Sequence, residues 1–240
     1  MKTRLIVLLA LTATLASLQA AELNQLTDRE KADGWRLLFD GVSTKGWRGY
    51  KKDSFPATGW KVENGLLQKV AAEPGIDVIT EEKFDDFEFQ WEWRIQAKGN
   101  NGVKYLVTEE RPGAPGPEYQ MLDDMDNPDA KVGAKRTTAS FYDVLPPSAD
   151  KKLNKPGEWN SSRLLIQGNH VEHWLNGDKV LEYELGSAAV LAAVQQSKFK
   201  NAKGFGTKIK GHLLLTDHKA DCWFRNLKIR ELPAKGTLRG

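Results

Sequence analysis

Cysteine is almost absent from this chain. Its 240 residues include one, Cys222, so no internal disulfide can form and a buried core must stabilise the fold alone. No cysteine is therefore available near the N-terminus for lipid attachment. Charge of a single sign is equally scarce. The 35 basic and 32 acidic residues are interspersed, with no basic stripe, which argues against a nucleic-acid partner. Strand–helix alternation of the α/β kind, internal repeats and low-complexity segments are missing too, and together they leave one domain rather than several.

The first twenty residues, MKTRLIVLLALTATLASLQA, have a basic start (Lys2, Arg4), an apolar stretch from Leu5 to Leu15 and small residues before a cut near Ala20. This is the pattern of a secretory signal peptide, too short and wrongly flanked for a membrane anchor, so the expected product is periplasmic or secreted with no membrane span. Its removal takes two basic residues and no acidic one, leaving 33 against 32 and a net charge of +1.

What remains is rich in strand signals separated by turn signals. In a short N-terminal surface segment (21–33), LTDREKADG reads as a helix with Thr27 as N-cap, Glu30 completing a capping box and Gly34 as its stop. WRLLFDG, WKVENGLLQK with an Asn64-Gly65 hairpin turn, and FEFQWEWRI follow as strands. In the last, Phe87, Phe89, Trp91, Trp93 and Ile95 share one face and Glu88, Gln90, Glu92 and Arg94 the other. A turn through Asn100 and Asn101, VKYLVTE, EYQMLD, ASFYDVL, and three strands joined by Gly168-Asn169 and Asn176-Gly177 come next. Ser187 caps a helix, and GHLLLTDH and DCWFRNLKIREL close the domain before a disordered tail (233–240). More than ten short strands with few helices predict an all-β, two-sheet antiparallel sandwich with one or two peripheral helices.

Within that pattern GPEYQMLDD stands out. Glu118 and Gln120 share a strand face, with Asp123 and Asp124 at the end. The face is either an ordinary solvated surface or one that holds a substrate. The run also echoes the E-x-D-x-x-E signature of laminarinase-type glucanases. A bulge would turn Asp123 to the Glu118 face, but Gln120 stands where the central acid would be, against a retaining glycosidase. Eight tryptophans raise the question of sugar stacking. Trp91 and Trp93 read as core, whereas Trp47 and Trp60, nearer loops, are candidate platforms.

In order, LFDG…W, W.VENG.L, FEF.WEWR, NNGVKY, GPEYQMLDD, WN..R, HWLNG, GHLLLTDH and WFRNLKIREL resemble the 3-keto-disaccharide hydrolase domain over residues 34–232. The resemblance implies a concanavalin A-like jelly roll of lectin/glucanase type, with its sugar site on the concave sheet, and a substrate that is an oxidised (3-keto) glycoside or disaccharide. The ketone acidifies the neighbouring C2 hydrogen, so a modest base can start an elimination that expels the C1 substituent, and water then adds back. Glu118 and His218 are the candidate base and proton donor, although His218 in TDHKA also suits a plain turn. Family members have Gln-Asp-His-Gly there, so Thr216 and Lys219 depart from the pattern. Gln120 and Arg94 would orient the sugar, unless Arg94 and Glu92 form only a cross-strand ion pair. Lys104, Arg163, Asp123 and Tyr142 are weaker candidates for the same surface. Asp217, His218 and Glu118 form a set that would suit a divalent metal ion. His173 reads as a core or supporting histidine, His170 and His212 as structural. The rival readings are a non-catalytic carbohydrate-binding module and a β-glucan hydrolase using Glu118 and Asp123.

Overall fold

The computed structural model describes residues 23–234, so the leader and most of the tail (235–240) lie outside the described residues. In chain order the elements are α1 (Asp28–Ala32), β1 (Arg36–Leu37), β2 (Trp47–Gly49), β3 (Trp60–Glu63), β4 (Leu66–Lys69), β5 (Val78–Thr80), β6 (Phe87–Ile95), β7 (Asn100–Val107), β8 (Glu118–Leu122), β9 (Asn160–Gln167), β10 (His170–Leu175), β11 (Asp178–Glu184), α2 (Ala188–Gln195), β12 (His212–Leu215) and β13 (Cys222–Glu231). Eight strands form one sheet in the order β11-β10-β9-β6-β13-β4-β3, with β1 added beside β13, and five form the other, β2-β5-β12-β7-β8. This is the two-sheet antiparallel jelly-roll sandwich that the strand spacing and the resemblance predict.

Local chemistry explains the elements. Thr27 accepts from the Glu30 backbone while Glu30 reaches back to the Thr27 backbone, so the capping box is complete. Asn64 and Gly65 both take positive φ, 52° and 75°, the geometry a two-residue hairpin turn needs between β3 and β4. Ser187 caps α2 through the Val190 N–H.

The core lies between the sheets, roughly 10 Å apart. All five apolar residues of β6 point into it, and Trp91 and Trp93 are essentially inaccessible. Trp91 meets the Tyr119 ring edge-on at 5.0 Å, and Trp93 Nε1 donates to Ser162 Oγ at 2.9 Å. Phe224 points inward from β13 while its neighbour Trp223 points out.

Several expectations are corrected. Trp47 and Trp60 are buried, each donating its indole N–H to a backbone carbonyl (Leu38 and Ile76), so neither is a stacking platform. Asn100 and Asn101 begin β7, and the turn before it is made by residues 96–99, with Lys98 at φ 59°. ASFYDVL is not a ladder strand. It bridges β8 only through Phe141, because Ala139 and Asp143 at φ 66° and 62° kink it. The three-residue strands β2 and β5 are too short for alternation to reveal.

Candidate active site

Position along β8 decides which side chains leave the core. Tyr119 and Met121 face Trp91, so Glu118, Gln120 and Leu122 face the outer side of the five-stranded sheet. The register with β7 sets Lys104 opposite Glu118 and Gly102 opposite Gln120. On the other flank the kinked segment donates Tyr142 N–H to the Glu118 carbonyl and accepts Gln120 N–H at Ser140 O. Lys104, Glu118 and Tyr142 thus lie in one row across the sheet, with Gly102, Gln120 and Ser140 in the next.

Glu118 is the unusual member. It is 7% exposed, and among the described residues its carboxylate accepts no hydrogen bond. Its ion pair is with Lys104, Nζ to Oε2 at 3.9 Å. The carboxylate lies directly over Gly102: a Cβ there would sit 2.2 Å from Glu118 Oε1. Glycine inside a strand is otherwise unfavourable, and here it makes room for the acid. In the next row Gln120 Oε1 and Ser140 Oγ are buried without a partner, and so is Asn100 Oδ1 further along β7. Buried polar atoms are rarely left unpaired, so a row of them beside an underbonded carboxylate points to polar groups from outside.

A charged wall stands beside this floor. Tyr142 Oη donates to Asp129 at 2.7 Å, and burial, then that bond, raise its pKa. Arg136 bridges Asp129 (2.8 Å) and Asp143 (2.7 Å), and these hydrogen bonds hold its proton more tightly. Lys198 Nζ lies 4.2 Å from the Tyr142 ring centroid. Although the residue is exposed overall, crowding of its ammonium lowers its pKa, against the opposing pull of Glu118 and Asp143. Below the floor, His173 is fully buried, with Nε2 against Tyr105 Oη at 2.9 Å and Nδ1 against Ala139 O at 2.9 Å. Burial lowers its pKa to about 4, so it is a neutral prop under the kinked segment.

The other predicted residues divide sharply. Lys104 and Tyr142 share the Glu118 face. Glu92, Arg94 and Arg163 do not, because they lie on the outer face of the opposite, eight-stranded sheet. There Glu92 accepts from Arg225 and Asn226. Arg94 stacks between Trp159 and Trp223, at 5.1 and 4.7 Å, and Arg163 lies 4.2 Å from the Trp174 ring centroid. The whole core separates them from Glu118, so they cannot share its ligand. Asp123 turns into the loop after β8, where it accepts the N–H groups of Lys98, Met125 and Asp126. The two carboxylates a retaining glucanase needs therefore do not face one another.

His218 is exposed and lines a shallow hollow of about 450 Å³ with Lys98, Asn100, Asn127, Asp217, Lys219 and Ala220. Asn100 is four residues from Lys104 along β7, about 13 Å at strand rise. No hydrogen bond links His218 to Glu118 among the described residues. Asp217 is taken by Lys69, Nζ to Oδ1 at 2.9 Å, and Glu118 by Lys104. The set Asp217, His218 and Glu118 is therefore not assembled as metal ligands. Among the described residues the group with metal-ligand spacing is His170, Glu172 and Glu182, on the other sheet. Lys179 already neutralises both of its acids, at 3.2 Å and 2.5 Å.

Sequence reasoning missed Gly102, Ser140, Asp129, Arg136, Asp143 and Lys198. Only Gly102 carried a local signal, as a glycine breaking a strand opposite the suspect face.

Known proteins match this chain over most of its length. The model of the 3-keto-alpha-glucoside-1,2-lyase-like domain matches residues 34–230. A 3-keto-disaccharide hydrolase of Bacteroides thetaiotaomicron is 35% identical, over 90% of this chain and 84% of that protein. The crystal structure of a candidate glycosyl hydrolase from Parabacteroides distasonis superposes with a TM-score of 0.80 at 34% identity, covering 88% of this chain and 100% of that one. A second candidate glycosyl hydrolase from the same organism gives 0.66 at 26% identity, over 82% and 99%. With the family model spanning nearly all of the sandwich, the chain belongs to the 3-keto-alpha-glucoside-1,2-lyase-like domain family.

Proposed function

We propose that this protein is an exported carbohydrate-active hydrolase that cleaves 3-keto-glycosides by elimination and rehydration, with Glu118 as the general base. The observation that carries the reading is the Glu118 carboxylate itself: buried, accepting no hydrogen bond and offset by one lysine 3.9 Å away. Its carboxylate oxygens keep lone pairs that no protein donor occupies, which leaves them available to take a proton from a carbon acid docked on this face. Family membership supports the substrate class, and the apolar leader at residues 1–20 supports export.

Glu118 removes the C2 proton, and the C–H electrons move into an enolate whose charge rests on the C3 oxygen. The Lys104 ammonium stabilises that oxyanion at close range in a partly desolvated site. The enolate re-forms the ketone as the C1–O bond breaks, and the departing oxygen takes a proton. Glu118, now carrying the C2 proton, passes it to that oxygen. Water then adds to C1 of the enone, giving up its proton to the Glu118 carboxylate, which passes it on to C2. Gln120 and Ser140 hold sugar hydroxyls through atoms otherwise unpaired.

The test is turnover of a 3-keto-disaccharide and its unoxidised parent by the wild type and by Glu118→Gln. Release of 3-keto-glucose from the oxidised sugar alone, reduced roughly 10²- to 10⁴-fold in the variant, is expected. Because the substitution removes a buried charge, the melting temperature should hold or rise. Cleavage of the parent would instead indicate an ordinary glycosidase, and binding without turnover of either sugar a lectin.

A further inference from the structure

The hollow beside His218 lies on the Glu118 side of the molecule, yet the chemistry above does not use it. Its walls are polar: Lys98, Asn100, Asn127, Asp217, His218 and Lys219. Four of them have free capacity. Asn100 Oδ1 is a buried acceptor without a partner, and the exposed His218 imidazole and the Lys98 and Lys219 ammonium groups bond no partner among the described residues. Asn127 and Asp217 hold the hollow in shape. Asn127 Nδ2 donates to the Lys98 and Gly99 carbonyls at 2.7 and 3.1 Å. Asp217 is fixed by the buried Lys69 at 2.9 Å and through its own N–H by Asp77 at 2.7 Å. The loop that carries His218 is thus anchored at Asp217 before any ligand arrives, as preorganised binding requires.

Distance supplies the second argument. Asn100 and Lys104 are on the same strand face, about 13 Å apart at strand rise, with Gly102 and Gln120 between them. That is roughly the span of two linked sugar rings. A ketone ring held over Glu118 and Lys104 would project its C1 substituent either toward the Tyr142 wall or along the floor past Gln120. The wall is filled by the Arg136–Asp129–Asp143 network, whereas the other direction opens into the hollow.

We propose that the hollow formed by Asn100 and His218 is the leaving-sugar subsite, which binds the hydroxyls of the second hexose and makes the enzyme prefer disaccharides to simple alkyl glycosides. This rests on the function proposed above. Asn100 accepts from one hydroxyl of that ring and the His218 imidazole bonds another. His218 is thereby a specificity-determining residue rather than the partner base of Glu118.

The experiment compares kcat/KM for a 3-keto-glucosyl-glucose with that for methyl 3-keto-α-glucoside, in the full mature chain and in Asn100→Ala and His218→Ala. Each substitution removes a hydrogen bond available only to the disaccharide, so the ratio of the two values should move about tenfold against the disaccharide. Glucose should inhibit the wild type competitively and each variant more weakly. Equal losses on both substrates would overturn the proposal and make His218 part of the common chemistry, and an unmoved ratio would overturn it too. If the wild type cleaved neither oxidised substrate, the parent reading would fail and the subsite with it. Circular dichroism and melting temperature exclude misfolding, and His218→Asn, which keeps a hydrogen-bonding side chain, should recover part of the ratio.

Discussion

Replacing Gly102 by alanine should disable the site while leaving the fold intact. Gly102 has no positive φ, so the backbone accepts alanine without strain. The added methyl carbon would lie 2.2 Å from Glu118 Oε1, 2.9 Å from Cδ and 3.0 Å from Cγ. An ordinary carbon–oxygen contact is more than 3 Å, so the carboxylate must withdraw by about 1 Å, by rotation of the side chain. A displacement of that size from a reacting geometry costs on the order of 10²-fold in rate. Crowding at one flexible side chain costs about 1 kcal/mol, a fall of about 2–4 °C in melting temperature for a domain this long. Steady-state kinetics on a 3-keto-disaccharide, with a thermal melt of the same preparation, separates the two effects. Activity within twofold of wild type would refute the assignment of Glu118 as base. A melting temperature lowered by more than 10 °C would show that the glycine serves the fold instead.

Arg94→Gln should leave kcat/KM unchanged within twofold, since Arg94 lies on the far face, and cost about 1–2 kcal/mol in urea denaturation through its two aromatic stacks. A large kinetic loss would return Arg94 to the site. His173, buried with its pKa lowered to about 4, is neutral in the fold but protonates in the unfolded chain near 6.5. The unfolded state therefore binds more protons in that interval. His173 contributes stability fully above pH 6.5 and loses about 3 kcal/mol of it as the pH falls to 4. His212, also lowered by burial, adds to the same slope. His173→Gln should flatten the dependence of the urea midpoint between pH 7 and 4, and an unchanged slope would exclude the assignment. Glu30 and Glu109, held down at about 2, add a loss of stability at the acid end of this window, but they do so equally in wild type and variant, so the difference between the two slopes isolates His173.

The legible part of this protein is the part written in short-range repetition. The alternation of β6, the Asn64-Gly65 turn and the Thr27–Glu30 box each depend on neighbours within a few residues, and each is realised. The same alternation separates Glu118 and Gln120 from Tyr119 and Met121, so the face they share could be read from GPEYQMLDD alone. It could not tell that the polar face of β6 belongs to the other sheet. Arg94 and Glu118 look alike as outward polar residues, and only the strand orders put a core between them.

The sequence by itself determined the long strands, the core face of β6 and β8 and the family, because these follow from local spacing and ordered motifs. Tertiary structure alone decided which carboxylate is left underbonded. It set Lys104 against Glu118, gave Asp217 to Lys69 and Asp123 to a turn, and brought Lys198 from beyond α2 to the Tyr142 ring. Those partnerships join residues tens of positions apart, and no local pattern encodes which distant charge will arrive.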